Sequence, residues 1–259
     1  MTSRITARFR EILKKDKKAF IPYIMTGHPT LQRTRELIKL LEDSGADIIE
    51  LGVPFSDPLA DGPTIQKAAR TALEQGITLH KVIDFVADLR NATQIPIILM
   101  TYYNPVYKYG EELFSREASA AGVDGLIIPD LPPDEAANLI AYSKKQGVDT
   151  IFLLAPTSTH ERIEKVAKVS RGFIYYVSMT GITGSDLSMD ASIESHIAAI
   201  RKKCSTPVAV GFGISNADEA SAVAKFADGV IVGSAIVKQV EKPDDELRTY
   251  LRSLREAIR

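Results

Sequence analysis

Along this chain, short apolar runs alternate with longer stretches in which apolar residues recur at the 3.6-residue period of a helix. The opening segment, 3–15, places Ile5, Phe9, Ile12 and Leu13 on one helical face with Ser3 as a candidate N-cap. It reads as an amphipathic lid helix. Nearly continuous apolar runs then recur at 20–25, 47–52, 96–101, 124–129, 150–154, 173–177, 207–211 and 229–232. Runs of this kind are how parallel strands covered on both faces read. Between them the spacing predicts helices over 30–44, 63–75, 78–91, 111–121, 133–146, 159–169, 191–203 and 216–226, and a helical stretch ending at Ile258. Gly45, Gly76, Gly122 and Gly147 serve as stops, and Thr78 as a cap.

About eight strand-then-helix units follow one another with no linker, composition break or low-complexity segment. That alternation predicts an α/β fold: a single (β/α)8 TIM barrel over residues 1–259 with an extra N-terminal helix. An open doubly wound sheet is the alternative. The first strand-to-helix turn, Thr26-Gly-His-Pro-Thr30, lacks the glycine fingerprint of a dinucleotide fold, and eight similar units favour closure. Closure brings every strand's C-terminal end to one face, where Glu50, Asp61, Tyr102, Asn104, Asp130, Tyr175 and the later glycine loops would meet.

Composition narrows the function. The 259 residues are 45% hydrophobic and 25% charged with a formal net charge of -1, enough for a full core and without a basic footprint for nucleic acid. No apolar run approaches transmembrane length, and Arg4, Arg8 and Arg10 interrupt any apolar signal region, so a soluble cytoplasmic protein is expected. The single cysteine, Cys204, excludes an internal disulfide and reads as a small residue near a helix end.

The chemistry centres on Glu50-Leu-Gly-Val-Pro-Phe-Ser-Asp-Pro-Leu-Ala-Asp-Gly62. By the two-residue strand period Glu50 points where Ile48 points, into apolar surroundings. Burial disfavours the charged carboxylate, raising its pKa and suiting Glu50 to move protons near neutrality; the structural alternative is a glutamate satisfied by a loop arginine or backbone donors. Asp61 either joins it or merely caps the helix that begins near Pro63. Asp57 reads as a turn former, and Asp130 could serve a turn or the site. No predicted strand carries a lysine or arginine, which argues against a Schiff-base lysine. The four histidines are scattered; only His28 reaches the functional face, where a surface position is expected, and no metal site is predicted. Glycines close three late strands, at Thr183-Gly184, Gly211-Phe-Gly-Ile-Ser215 and Gly233-Ser234. Barrel enzymes often bind a phosphate there, because glycine lets backbone N–H groups approach the oxygens.

Residues 50–66, Glu-Leu-Gly-Val-Pro-Phe-Ser-Asp-Pro-Leu-Ala-Asp-Gly-Pro-Thr-Ile-Gln, closely resemble the signature of the tryptophan synthase alpha subunit family. Tyr102-Tyr-Asn104, Thr180-Gly-Ile-Thr-Gly184, Gly211 to Ser215 and Gly233-Ser-Ala-Ile-Val237 extend the likeness over nearly the whole chain. The resemblance implies a lyase that cleaves indole-3-glycerol phosphate to indole and glyceraldehyde 3-phosphate by a retro-aldol step. It implies Glu50 as the acid-base residue and Asp61 as the acceptor for the indole N–H. Tyr175 would line the site with Tyr102, while Tyr23, Met100 and Phe212 would form the indole slot. Thr183 would lie on a mobile loop that closes over the substrate and positions Asp61, and Gly184, Gly213, Gly233 and Ser234 would hold the phosphate. Tyr23 and Met100 depart from the Phe and Leu common in the family, and Met179 and Thr180 from a more polar loop start. No cofactor is implied for this chain; pyridoxal phosphate would belong to a partner beta subunit in an α2β2 complex, facing 53–59 and the loop 104–109. The competing readings are a stand-alone lyase, an isomerase using Asp130, and a binding subunit that mainly activates its partner.

Overall fold

The computed structural model describes residues 3–177, 187–211 and 213–258, with backbone alone for 187–192. Helix α1 (Arg4–Lys14) precedes β1 (Ala19–Met25), α2 (Leu31–Asp43), β2 (Ile49–Gly52), α3 (Pro63–Glu74), α4 (Leu79–Leu89) and β3 (Ile97–Met100). Next come α5 (Tyr103–Tyr109), α6 (Glu111–Ala121), β4 (Gly125–Ile127), α7 (Ala137–Gln146), β5 (Asp149–Ile151), β6 (Leu153–Leu154) and α8 (His160–Val169). The chain ends with β7 (Ile174–Val177), α9 (Leu187–Arg201), β8 (Val208–Gly211), α10 (Ala217–Ala224), β9 (Gly229–Val232), α11 (Ser234–Val237) and α12 (Asp244–Ala257). Ser3, Thr30, Thr78, Thr159 and Asn216 each accept a backbone N–H three residues on, the N-cap bond that starts their helices.

All described strand pairs are parallel, in the order β5-β4-β3-β2-β1-β9-β8-β7-β6. The ends of that list, β5 and β6, are two halves of one stave divided at Phe152: the first half pairs with β4 and the second with β7. The sheet is therefore the expected eight-stave barrel. Alternate residues fill it, Ala19, Ile21, Ile48, Ile98, Ile127, Ile151, Phe173, Ala209 and Ile231 packing as one inner cluster. The opposite alternation packs outward against the helices.

Helix α1 is not a lid. Its Ile5, Phe9 and Ile12 join that inner cluster, and Phe9 lies 5.6 Å from Phe173. Its polar face is tied to carboxylates at the strands' N-terminal ends: Arg4 to Asp124, Arg8 to Asp47 and Ser3 to Asp149. It plugs the barrel at the end away from the site. The same carboxylates organise this base. Asp47, Asp124 and Asp228, each just ahead of a strand, accept the backbone N–H of Phe20, Ile97 and Val208 in the neighbouring stave. The buried Asp47 and Asp124 and the partly buried Asp228 thus act as register pins, their charges held by Arg8 and Arg255, Arg4 and Arg90, and Arg201.

Other departures are local. The segment 104–109, expected as loop, lies within helix α5. The helix expected from 133 starts at Ala137, because the N–H groups of Glu135 and Ala136 close turns on Pro132 and Pro133 first. Helix α9 begins at Leu187 rather than 191.

Candidate active site

Glu50 lies in β2, in register with Tyr23 of β1 and Ile98 of β3, and points into the barrel above Ile48. It is 1% exposed, and neither carboxylate oxygen has a hydrogen-bond partner among the described residues. No described strand carries a cation. No loop arginine or backbone donor among the described residues satisfies Glu50. Burial, with the nearby charge of Asp61 adding to it, raises the Glu50 pKa to about 8.

Asp61 follows on the loop that leaves β2. The N-cap of α3 is Gly62, with no side-chain capping bond, so the Asp61 carboxylate is free of the capping role. Its backbone N–H bonds Pro58 and its carbonyl accepts the side-chain amide of Gln66, which fixes the turn. Burial raises its pKa to about 6, opposed by a hydrogen bond donated by the Tyr102 hydroxyl. Tyr102 also accepts the Ala60 N–H at 3.0 Å, and its ring lies 5.4 Å from Phe55. Tyr102, expected only as a lining residue, therefore clamps the loop that presents Asp61. Sequence reasoning missed this because nothing in residues 50–62 announces a partner forty residues on.

Two tyrosines complete the described wall. The Tyr175 hydroxyl sits over Gly211, 2.5 Å from where a side chain would begin, and Glu50 is the charge acting on it. Tyr23 lies over Gly52 in the same way, and its phenol is pushed up by burial and by the charges of Asp61 and Glu50. Met100 is half-buried on the inner wall. The need for glycine at 52 and 211 was not anticipated; a glycine ending an apolar strand was the available signal.

At the late loops Gly213 has φ +77°, a left-handed conformation suited to glycine, and Gly233 precedes α11 with Ser234 exposed. Thr183, Gly184 and Phe212, and with them Met179 and Thr180, lie outside the described residues. Asp130 is taken up by a turn role, accepting the N–H of Tyr103 at the start of α5. Asp57 bonds its neighbour Ser56. His28, expected at the surface, is buried, its imidazole 3.8 Å from Glu241 and its pKa lowered by burial. Among the described residues no cluster of three potential metal ligands occurs.

The arrangement sets a protonated carboxyl beside an ionised one near neutral pH, under a wall of aromatic rings. It can deliver a proton to a planar apolar substrate and stabilise the positive charge that results. Residues 9–259 match the family model described as "Tryptophan synthase alpha chain". The chain is 52% identical over 261 residues to the tryptophan synthase alpha chain of Geobacter sulfurreducens, covering 99% of both, and 46% identical to that of Dehalococcoides mccartyi, again covering 99% of both. Among solved structures, tryptophan synthase subunit alpha from Legionella pneumophila superposes with a TM-score of 0.91 at 36% identity, covering 100% of this chain and 99% of that one. A tryptophan synthase chain from Mycobacterium tuberculosis superposes at 0.92 and 37%, with the same coverage. The chain belongs to the tryptophan synthase alpha chain family, whose reaction is the lyase cleavage of indole-3-glycerol phosphate in tryptophan biosynthesis.

Proposed function

We propose that Glu50 and Asp61 divide the chemistry of this cleavage. The carrying observation is a buried, unpartnered Glu50 carboxyl beside a second carboxylate of lower pKa. Near pH 7 Glu50 holds a proton and Asp61 does not. Glu50 gives its proton to the indole ring carbon that bears the glycerol chain, and the positive charge falls on the ring nitrogen. Asp61 accepts the hydrogen bond of that N–H and stabilises the cation. The Glu50 carboxylate then takes the proton of the adjacent glycerol hydroxyl. The O–H electron pair becomes the carbonyl of glyceraldehyde 3-phosphate, and the pair of the broken carbon–carbon bond returns to the ring, releasing indole and leaving Glu50 protonated. Tyr102 presents Asp61, Tyr175 borders Glu50, and Tyr23, Met100 and Phe212 form the indole slot. Thr183 acts on the loop after β7, and Gly184, Gly213, Gly233 and Ser234 hold the phosphate.

The proposal needs no cofactor in this chain and treats residues 1–259 as one barrel unit working in the cytoplasm. No described helix is long and apolar enough to cross a membrane. It extends to a pyridoxal-phosphate-dependent beta subunit in an α2β2 assembly. Leu59, on the segment 53–59, is 94% exposed and Tyr107 of α5 is 67% exposed, apolar surface that favours a protein partner. The test is indole release from indole-3-glycerol phosphate with and without a cognate beta subunit. Slow release strongly accelerated by the partner is expected; fast release indifferent to it would indicate a stand-alone lyase, and loss of partner activation with intact turnover would contradict the assembly. Glu50→Gln should abolish release, by about 10²–10⁴-fold for loss of a general acid-base group.

A further inference from the structure

Tyr23 stands opposite Glu50 in the β1–β2 register, so both side chains enter the barrel at one level. Two residues further along β2, Gly52 keeps the same inward face free of a side chain. The Tyr23 ring lies across that gap: its hydroxyl is 2.1 Å, and its Cζ 2.7 Å, from where a Cβ at Gly52 would stand. The ring therefore leans along β2 toward the loop that carries Asp61. Tyr23 is 5% exposed, yet no hydrogen bond among the described residues engages its hydroxyl; the charge acting on it most strongly is that of Asp61, followed by Glu50. The phenol thus sets a hydroxyl without a described hydrogen-bond partner beside two carboxylates. A carboxylate has two oxygens with several acceptor positions, and Tyr102 engages Asp61 with a single hydroxyl, which leaves acceptor capacity for a second donor.

We propose that Tyr23 is a positioning residue whose hydroxyl donates to the Asp61 carboxylate once substrate occupies the site, so that Asp61 is gripped between Tyr23 and Tyr102 and aimed, ionised, at the indole nitrogen. This rests on the assignment of Asp61 to the indole N–H. Among the described residues, the groups facing Asp61 are Tyr102 at the start of α5, Glu50 on β2 and Tyr23 on β1. Of these, Glu50 is protonated in the working form and Tyr102 bonds Asp61 before substrate arrives. Of the described groups, Tyr23 is the one whose contribution changes on binding.

The test is Tyr23→Phe, which removes one atom without altering the ring. A donor to an anion lowers that anion's pKa, so its loss in the loaded site raises the Asp61 pKa. The acid limb of the kcat profile, which reports the bound complex, is expected to move up by about half to one pH unit, with kcat falling by about tenfold. The acid limb of kcat/KM, which reports the free enzyme, and the KM at the pH optimum stay put. Carbon-13 titration of the Asp61 carboxyl, with an indole-alkyl phosphate analogue bound, should show the same upward shift in Tyr23→Phe. Tyr175→Phe serves as the control, since Tyr175 faces Glu50 and not Asp61. A raised KM with both limbs and the Asp61 titration unmoved would make Tyr23 an apolar wall and overturn the proposal. Absence of indole release from the unmutated chain would instead overturn the underlying reaction; the carboxyl titration would still report whether the Tyr23–Asp61 bond forms.

Discussion

The pair Glu50 and Asp61 shows how little of a residue's chemistry resides in its type. Both are carboxylic acids one loop apart, but one is enclosed without a partner and the other is partly buried and engaged by Tyr102, so their pKa values stand at about 8 and about 6. The kcat/KM profile should be bell-shaped, with an acid limb near 6 as Asp61 ionises and a base limb near 8 as Glu50 loses its proton. A profile flat between pH 5 and 9 would remove both assignments. Glu50 also makes a stability prediction. Its folded pKa of about 8 exceeds its ordinary 4.5, so between these values the native state holds a proton that the unfolded chain has released. Stability is lost as pH rises through that window, by up to about 1.4 kcal/mol per unit, and levels off above it. Glu50→Gln should cancel this slope in urea titrations while abolishing activity. Gly52→Ala belongs to the same scale. Its Cβ would meet the Tyr23 hydroxyl, so it should cost about 1–3 kcal/mol and disturb the site, and Tyr23→Phe should recover part of that loss because the hydroxyl at 2.1 Å is the nearest obstacle.

Among the elements, α1 was legible as an amphipathic helix, down to its Ser3 cap, but not as a plug. Its apolar stripe says that it packs on something; only the inner cluster and the aspartates at the strand bases say which end of the barrel that is. Phe9→Ala should therefore cost about 3–5 kcal/mol in urea unfolding, as for other buried aromatics. KM and kcat of the folded fraction should hardly change, whereas a lid helix would give the opposite pattern. The strands were read to within a residue or two because doubly covered parallel strands are continuous apolar runs, and several helices because threonine, serine or asparagine marks their start. Helix α5 escaped notice: seven residues containing three tyrosines, a proline and no apolar stripe carry too weak a period.

Across the whole molecule, closure gathers residues from distant parts of the chain at one rim. It also leaves Leu59 and Tyr107 exposed on the segments proposed to meet the beta subunit. Leu59→Asp with Tyr107→Asp should weaken stimulation by the partner at least tenfold while basal indole release from the isolated chain persists, measured by titrating the beta subunit into a fixed amount of each variant. Unchanged stimulation would move the interface elsewhere.

The order of strands and helices, the inward direction of Glu50 and the reaction implied by residues 50–66 are local properties, written in periodicity and in a short motif, and they could be read directly from the amino-acid order. What only the tertiary structure decided are relations between residues far apart. These include the absence of any described partner for Glu50, the release of Asp61 from helix capping to Tyr102, the glycines that make room for Tyr23 and Tyr175, and the burial of His28. The physical reason is that desolvation, charge–charge interaction and steric room depend on what the closed barrel brings within a few ångströms, and that set of neighbours does not exist until the staves meet.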